Sequence, residues 1–202
     1  MIRNILFDMG GVLIRFEPDH FIRRLNVSDE DARLLNLEVF RSLEWGMMDW
    51  GAMDEAEAVC SMCTRLPSHL HQAVQTLVCQ WDDPILPMEG MERLLERLSG
   101  SGYRLFLLSN ASRRQHEYWP SIPGHQYMKD TLISADAGLV KPQPEIFRLA
   151  CKKFDILPEE SIFVDDLPLN TAGAQRIGMK SFVFHGDASE LEQWLKAQGL
   201  LF

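Results

Sequence analysis

The stretch Ile5-Leu6-Phe7-Asp8-Met9-Gly10-Gly11-Val12 decides how this chain is read. Three consecutive apolar residues without alternation predict a strand buried on both faces, as in parallel sheets. The strand ends in a carboxylate, and the two glycines behind it let the backbone turn sharply and come close to a ligand. The first strand is expected at 3–7. Four further apolar runs, at 103–108, 131–134, 161–164 and 180–184, also end in small or polar residues. Helical patterns separate most of them. Met88, Met91, Leu94, Leu95 and Leu98 share one face in 88–100, and Ile146, Leu149, Ala150 and Phe154 share one in 144–154. Buried strands alternating with amphipathic helices predict an α/β fold, with a parallel sheet covered on both faces.

The alternation breaks once. Residues 16–86 show helical spacing and no convincing strand: Leu35, Val39 and Leu43 recur every four residues, and Ala56, Val59, Cys60 and Cys63 are expected to share a helix face. Pro67-Ser68 reads as a stop and restart, and Pro84 with Pro87 closes the segment. The expected organisation is an α/β core of 1–15 and 87–202 with a helical cap, 16–86, inserted after the first strand. Cys60 and Cys63 form a CxxC, but His69 and His71 do not complete a familiar zinc pattern, so both cysteines are expected in helix core.

The 202 residues carry a net charge of −9. That sign excludes holding nucleic acid or an anionic membrane by bulk attraction. A small anion must then be captured by a few placed groups. No stretch approaches the roughly 18 apolar residues of a membrane span, and the chain runs directly into its first strand, so a cytoplasmic protein is expected.

In open parallel sheets, ligands bind beyond the carboxyl ends of the strands. Four such places carry chemistry here. Asp8 ends the first strand, and Ser109-Asn110 follows the second with a hydroxyl and an amide that can hold phosphate oxygens. Lys141-Pro142 precedes the helix at 144–154 and is placed to balance a carboxylate. Asp165-Asp166 ends the fourth strand, with Asn170 just beyond. Two adjacent acids repel each other unless a cation or donors compensate, and oxygen ligands of this kind suit Mg²⁺.

In this order and spacing, Asp8-x-Gly-Gly-Val, Leu-Ser109-Asn110, Lys141-Pro and Val-Asp165-Asp166-x-x-x-Asn170 match the four motifs of the haloacid dehalogenase superfamily, which the chain resembles over nearly its whole length. It looks most like bacterial sugar phosphatases of the glucose-1-phosphatase type and the phosphatase domain of soluble epoxide hydrolase. The resemblance implies a Rossmann-like three-layer core with a small helical cap. It implies a phosphatase whose nucleophile, Asp8, is transiently phosphorylated. It also implies Mg²⁺ held by Asp8, the Gly10 carbonyl, Asp165 and Asp166, with Ser109 and Asn110 on the phosphate and Lys141 stabilising its charge. The expected partner is a small phosphorylated metabolite, for example a hexose 1-phosphate, and the expected assembly is a monomer or homodimer.

One position departs from the pattern. Most phosphatases of this superfamily carry a second aspartate two residues after the nucleophile, where this chain has Gly10. That aspartate protonates the leaving group, so its absence predicts a preference for leaving oxygens of low basicity, with Glu17 as another source of the proton. Gly10 argues against a phosphomutase. The absence of lysine between 16 and 86 argues against a phosphonate hydrolase. Metal-free dehalogenases leave the acidic pair unexplained, and a response-regulator-like domain would carry its motifs in another order. A degenerate binding-only member is the remaining alternative. Trp45, Asp49 and Trp50 suit substrate from the cap, with cap-core packing the equal alternative for the tryptophans, and Arg113, Arg114 and His116 beyond the second motif either contact substrate or open a solvated helix.

Overall fold

The computed structural model describes residues 1–202. Five strands, β1 Asn4–Phe7, β2 Arg104–Ser109, β3 Met128–Ile133, β4 Ser161–Asp165 and β5 Lys180–Val183, form one sheet of order β3-β2-β1-β4-β5. Every pairing is parallel. All four residues of β1 are buried, as expected for a central strand of unbroken apolar character. The connection order reverses beside β1, which makes its carboxyl end the topological switch point.

Side chains alternate across the sheet. Ile5, Phe7, Leu105, Leu107, Ile162 and Val164 face one hydrophobic cluster, which includes residues of α6 Met91–Gly100 and α11 Ala188–Ala197. Leu6, Phe106, Leu108 and Phe163 face the other, packed under α9 Pro144–Phe154 and α10 Pro168–Gln175. The α/β layering expected from the sequence is therefore present. In α9 the buried stripe is Ile146, Phe147, Ala150 and Phe154, with Leu149 only half-buried.

Between β1 and α6 the chain forms α1 Pro18–Arg23, α2 Asp29–Leu35, α3 Leu43–Trp50, α4 Glu55–Cys63 and α5 His71–Cys79, without a strand. The ways out and back run side by side: the Arg15 amide donates to the Leu86 carbonyl at 2.8 Å and the Met88 amide to the Leu13 carbonyl at 2.9 Å. These helices have no separate core. Leu35, Val39, Met62, Val74 and Leu77 belong to the cluster that underlies one face of the sheet.

Two helical faces differ from those expected. α2 passes into a wider turn at Asn36–Phe40, and Ser42 restarts the chain as α3 by accepting from the Trp45 amide at 3.2 Å. The four-residue spacing is lost there, which leaves Leu43 76% exposed. In α4 the buried residues are Ala58 and Met62, so Ala56 faces out. Cys63 packs against the core, whereas Cys60 is exposed, and both are free thiols. Pro67 does stop the chain, and a short turn at Ser68–Leu70 leads into α5. No helix is long and apolar enough to cross a membrane.

Candidate active site

Strand register assembles the site. β1 pairs Phe7 with Leu107 of β2 and with Val164 of β4. The next residue, Asp8, therefore stands level with Asp165 and one residue short of Ser109. Two short helices, α7 Gln115–Tyr118 and α8 Ser134–Ala137, follow β2 and β3, and Lys141 comes from the loop between α8 and α9. Its side chain is fully buried, with Nζ 2.8 Å from Asp8 Oδ1 and 2.7 Å from Asp165 Oδ2. Asn110 fixes that loop: its Oδ1 accepts from the Lys141 amide at 2.8 Å, and its Nδ2 donates to the Lys141 carbonyl at 3.1 Å.

The two neighbouring acids occupy different surroundings. Asp165 is fully buried and accepts from Lys141, from the Leu167 amide at 2.8 Å and from Asn170 Nδ2 at 3.0 and 3.1 Å. Asp166 is half-buried, and its carboxyl makes no hydrogen bond or ion pair within the protein. Gly11 lets the first and fourth strand ends close up: at its φ of +74°, a Cβ would lie 2.5 Å from Asp166 Cγ.

Asp8, Asp165 and Asp166 each offer an oxygen within 4.8 Å of the others. Burial pushes the Asp8 carboxyl up to about 7, against the pull of Lys141. Burial and then the charge of Asp165 raise Asp166. Burial acts downward on Lys141, but Asp8 and Asp165 outweigh it and hold the ammonium above the usual lysine range. Three carboxylates against one ammonium leave two negative charges, which a divalent cation would cancel. Gly10 lines the same cavity, and its carbonyl accepts no hydrogen bond. An uncommitted carbonyl, an uncommitted carboxylate and a second oxygen of Asp8 form a hard-oxygen donor set, which fits Mg²⁺.

These groups line the floor of a cavity of about 380 Å³. Ser109, 2% exposed, also lines it, and its hydroxyl has no partner. Another wall is largely apolar and comes mainly from the inserted segment, with Phe16, Trp45, Met48, Val78 and Trp81, joined by Tyr118 of the core. Phe16 meets Trp81 edge-on at 5.1 Å, and Trp45 lies against Phe40 at 4.8 Å with the rings tilted by 47°. Asp49, on the last turn of α3, is the one charged side chain of that wall. Burial pushes it up to about 7, again against Lys141.

Of the residues expected to face substrate, Trp45 and Asp49 line the cavity, whereas Trp50 does not. Its Nε1 donates to the Gly138 carbonyl at 2.7 Å. Arg113, Arg114 and His116 are absent from the lining. Arg113 bonds the Gly51 and Ala135 carbonyls, Arg114 bonds Asp82 and the Cys79 carbonyl, and His116 meets Asp136 at 2.8 Å. Arg113 and Arg114 thus tie the inserted helices to the α/β core. Glu17 precedes α1 and is absent from the cavity lining; it lines two surface recesses, one of which shares Gly11 and Phe16 with the cavity. Phe16, Met48, Val78, Trp81 and Tyr118 are cavity residues that sequence reasoning missed, because an apolar side chain facing a cavity carries the same signal as one facing the core.

A family model described as haloacid dehalogenase-like hydrolase matches residues 2–178. A D-ribitol-5-phosphate phosphatase of Bacteroides thetaiotaomicron is 27% identical over 197 residues, covering 90% of this chain and 91% of that protein. A sesquiterpene phosphatase of Aspergillus oryzae is 29% identical over 184 residues, covering 86% and 85%. Among solved structures, a HAD family enzyme from Bacteroides thetaiotaomicron, crystallised with magnesium and inorganic phosphate, superposes with a TM-score of 0.72 at 22% identity. The match covers 95% of this chain and 99% of that one, and it bears on the fold.

Proposed function

The chain belongs to the haloacid dehalogenase-like hydrolases, and we propose that within them it is a Mg²⁺-dependent phosphatase of small phosphorylated metabolites. The observation that carries this reading is the carboxyl of Asp8. It opens on the cavity at a central strand end, with Lys141 2.8 Å away and two further acids within reach of a shared cation. The phosphatases and the magnesium- and phosphate-bound enzyme that the chain resembles support the same reading.

Asp8, the Gly10 carbonyl and Asp166 would hold the ion. Asp165 serves chiefly to hold Lys141, because its oxygens are already occupied. When bound, Mg²⁺ neutralises phosphate charge and aligns the phosphoryl group with the nucleophile. Asp8 attacks phosphorus, an Asp8 O–P bond forms and the ester P–O bond breaks. Water then attacks the aspartyl-phosphate and frees Asp8 and inorganic phosphate. Ser109 donates to a phosphate oxygen. Asn110, its side chain engaged by the Lys141 backbone, acts by positioning Lys141.

Residues 16–86 act as the cap over this floor. Its inner wall holds no lysine, arginine or histidine, so the organic part of the substrate carries no second strong anion. Aromatic rings with one carboxyl suit a sugar or another weakly polar group, and a hexose 1-phosphate is the first ester to try.

The test is phosphate release from a panel of phosphate monoesters with Mg²⁺ and with chelator, together with acid-quench mass spectrometry of the protein. A phosphoryl adduct on Asp8 and strict Mg²⁺ dependence are expected. Full activity after exhaustive metal removal, or turnover with no adduct and undiminished in Asp8→Asn, would overturn the reading.

A further inference from the structure

Resting on the phosphatase reading above, we infer that Asp49 is the acid–base residue of the reaction, supplying from the cap the proton that Gly10 cannot.

Asp49 lines the same cavity as Asp8 and Lys141, and it is the only carboxyl there outside the acidic cluster on the floor. Its carboxyl accepts no hydrogen bond and forms no ion pair, so no structural duty explains it. The other protic side chains of the wall are unsuited. The Ser112 hydroxyl is committed to Glu55 at 2.6 Å, and burial with the charges of Asp82 and Asp49 pushes the Tyr118 hydroxyl above its usual range. Glu17, which the sequence offered for this role, does not line the cavity and faces an adjoining recess instead.

The position is also held still. The Asp49 carbonyl accepts from the Ser134 hydroxyl, the Trp50 indole donates to the Gly138 carbonyl at 2.7 Å, and Arg113 donates to the carbonyls of Gly51 and Ala135. Gly51, at φ +76°, seats against the core so closely that a Cβ would lie 2.2 Å from the Ala135 carbonyl oxygen. Three consecutive residues thus fix the end of α3 on the catalytic core, as a proton donor requires.

Its chemistry suits the task. Burial lifts Asp49 to about 7, Lys141 being the charged group that pulls it back and Tyr118 the hydroxyl that faces it. A carboxyl poised there exchanges its proton readily at neutral pH. As Asp8 bonds to phosphorus and the ester bond breaks, the Asp49 proton passes to the departing oxygen. When water attacks the aspartyl-phosphate, the Asp49 carboxylate takes the proton of that water and is restored. This revises the expectation drawn from Gly10. The wild type should be nearly indifferent to leaving-group basicity, and the preference for a hexose 1-phosphate over its 6-phosphate should emerge only when Asp49 is neutralised.

The experiment compares kcat/KM for benzyl phosphate and 4-nitrophenyl phosphate, with saturating Mg²⁺, in wild type and Asp49→Asn. Neither ester offers a sugar hydroxyl for Asp49 to bind, so a role in sugar recognition leaves both rates unchanged. Asp49→Asn should cost about 10²–10⁴-fold on benzyl phosphate and less than about tenfold on 4-nitrophenyl phosphate, whose phenolate leaves without help. Equal losses, or no loss, on the two esters would overturn the acid role while leaving the phosphatase reading standing. No release from either ester by wild type would overturn both. Should the variant fail to fold, wild-type rates on benzyl, phenyl and 4-nitrophenyl phosphate decide, because a rise above about 10³-fold along that series means that no acid assists.

Discussion

Lys141 is the point at which the architecture can be tested most directly, because its removal has a magnitude that follows from its surroundings. The ammonium is fully buried between Asp8 and Asp165, 2.8 and 2.7 Å away. Lys141→Met keeps the length and apolar stem and deletes only the charge. Removing one member of a buried ion cluster typically costs about 3–5 kcal/mol, because the remaining charge is stranded. A ceiling comes from protonation. Keeping an ordinary carboxyl, of pKa about 3.9, protonated in the folded state at pH 7 costs about 4 kcal/mol, at about 1.4 kcal/mol per pH unit. The variant should therefore lose about 3–4 kcal/mol at pH 7, which is about 6–16 °C in Tm for a chain of this size. The sign with pH is fixed. A carboxyl whose folded pKa is raised favours the folded state at low pH, and that advantage is lost as pH rises through the folded value. At pH 5 the same ceiling is about 1.5 kcal/mol, so the deficit should shrink by more than half. The measurement is thermal unfolding by circular dichroism at pH 7 and pH 5 in chelator, so that no metal replaces the missing charge. A loss under about 1 kcal/mol at pH 7, or a deficit that grows toward pH 5, would refute the view that Lys141 is the counter-charge of this cluster.

Two further outcomes follow from the same geometry. Asp8→Asn should fold with unchanged or higher Tm, because it removes a carboxyl whose burial is unfavourable, and should abolish turnover; activity above a few per cent of wild type in a clean preparation would remove Asp8 from the nucleophile's role. Asp166→Ala should weaken Mg²⁺ binding in calorimetric titration with little change in Tm. Asp165→Ala should lower Tm by leaving Asn170 Nδ2 and the Leu167 amide without their acceptor and Lys141 with Asp8 alone, at about 1–3 kcal/mol for each donor left unpaired before relaxation, and the reverse pattern would exchange the two assignments.

Which residues meet on the cavity floor was largely legible in the sequence because parallel register converts sequence motifs into neighbours. Once β1 lies between β2 and β4, Asp8, Ser109 and Asp165 must meet, whatever the helices do. The division of labour inside that floor was not legible. Asp165 and Asp166 are the same residue type in adjacent positions, and only the donors contributed by Leu167 and Asn170 distinguish them. Asn110 likewise reads as a phosphate ligand until its amide is seen bridging the Lys141 backbone in both directions. The inserted helices were recognised as helices, but their faces were not. α3 and α4 have eight and nine residues, too few turns to fix the phase of an apolar stripe, and the wide turn at Asn36–Phe40 shifts the phase between Val39 and Leu43.

Gly10, Phe16 and Asp49 form one solution to a single constraint. A Cβ at Gly10 would touch Phe16 Cβ at 3.5 Å, an ordinary contact, so the backbone does not forbid a side chain there. Anything longer must share space with the Phe16 ring, which packs on Phe21, Phe40, Trp45 and Trp81 and so anchors the apolar wall of the cavity. A carboxyl grown from position 10 would be pressed against that wall, where desolvation opposes its charge. An aspartate at position 10 is therefore disfavoured beside this aromatic wall, and a reaction that still needs a proton takes it from elsewhere. The end of α3, pinned to the core and carrying Asp49, is the place that remains. Gly10→Asp should accordingly fold with a loss of about 1–3 kcal/mol from overpacking and yield no gain on benzyl phosphate. A gain of tenfold or more with that ester would mean that the wild type lacks an acid. The aromatic wall would then be a matter of substrate fit alone, unconnected with the glycine.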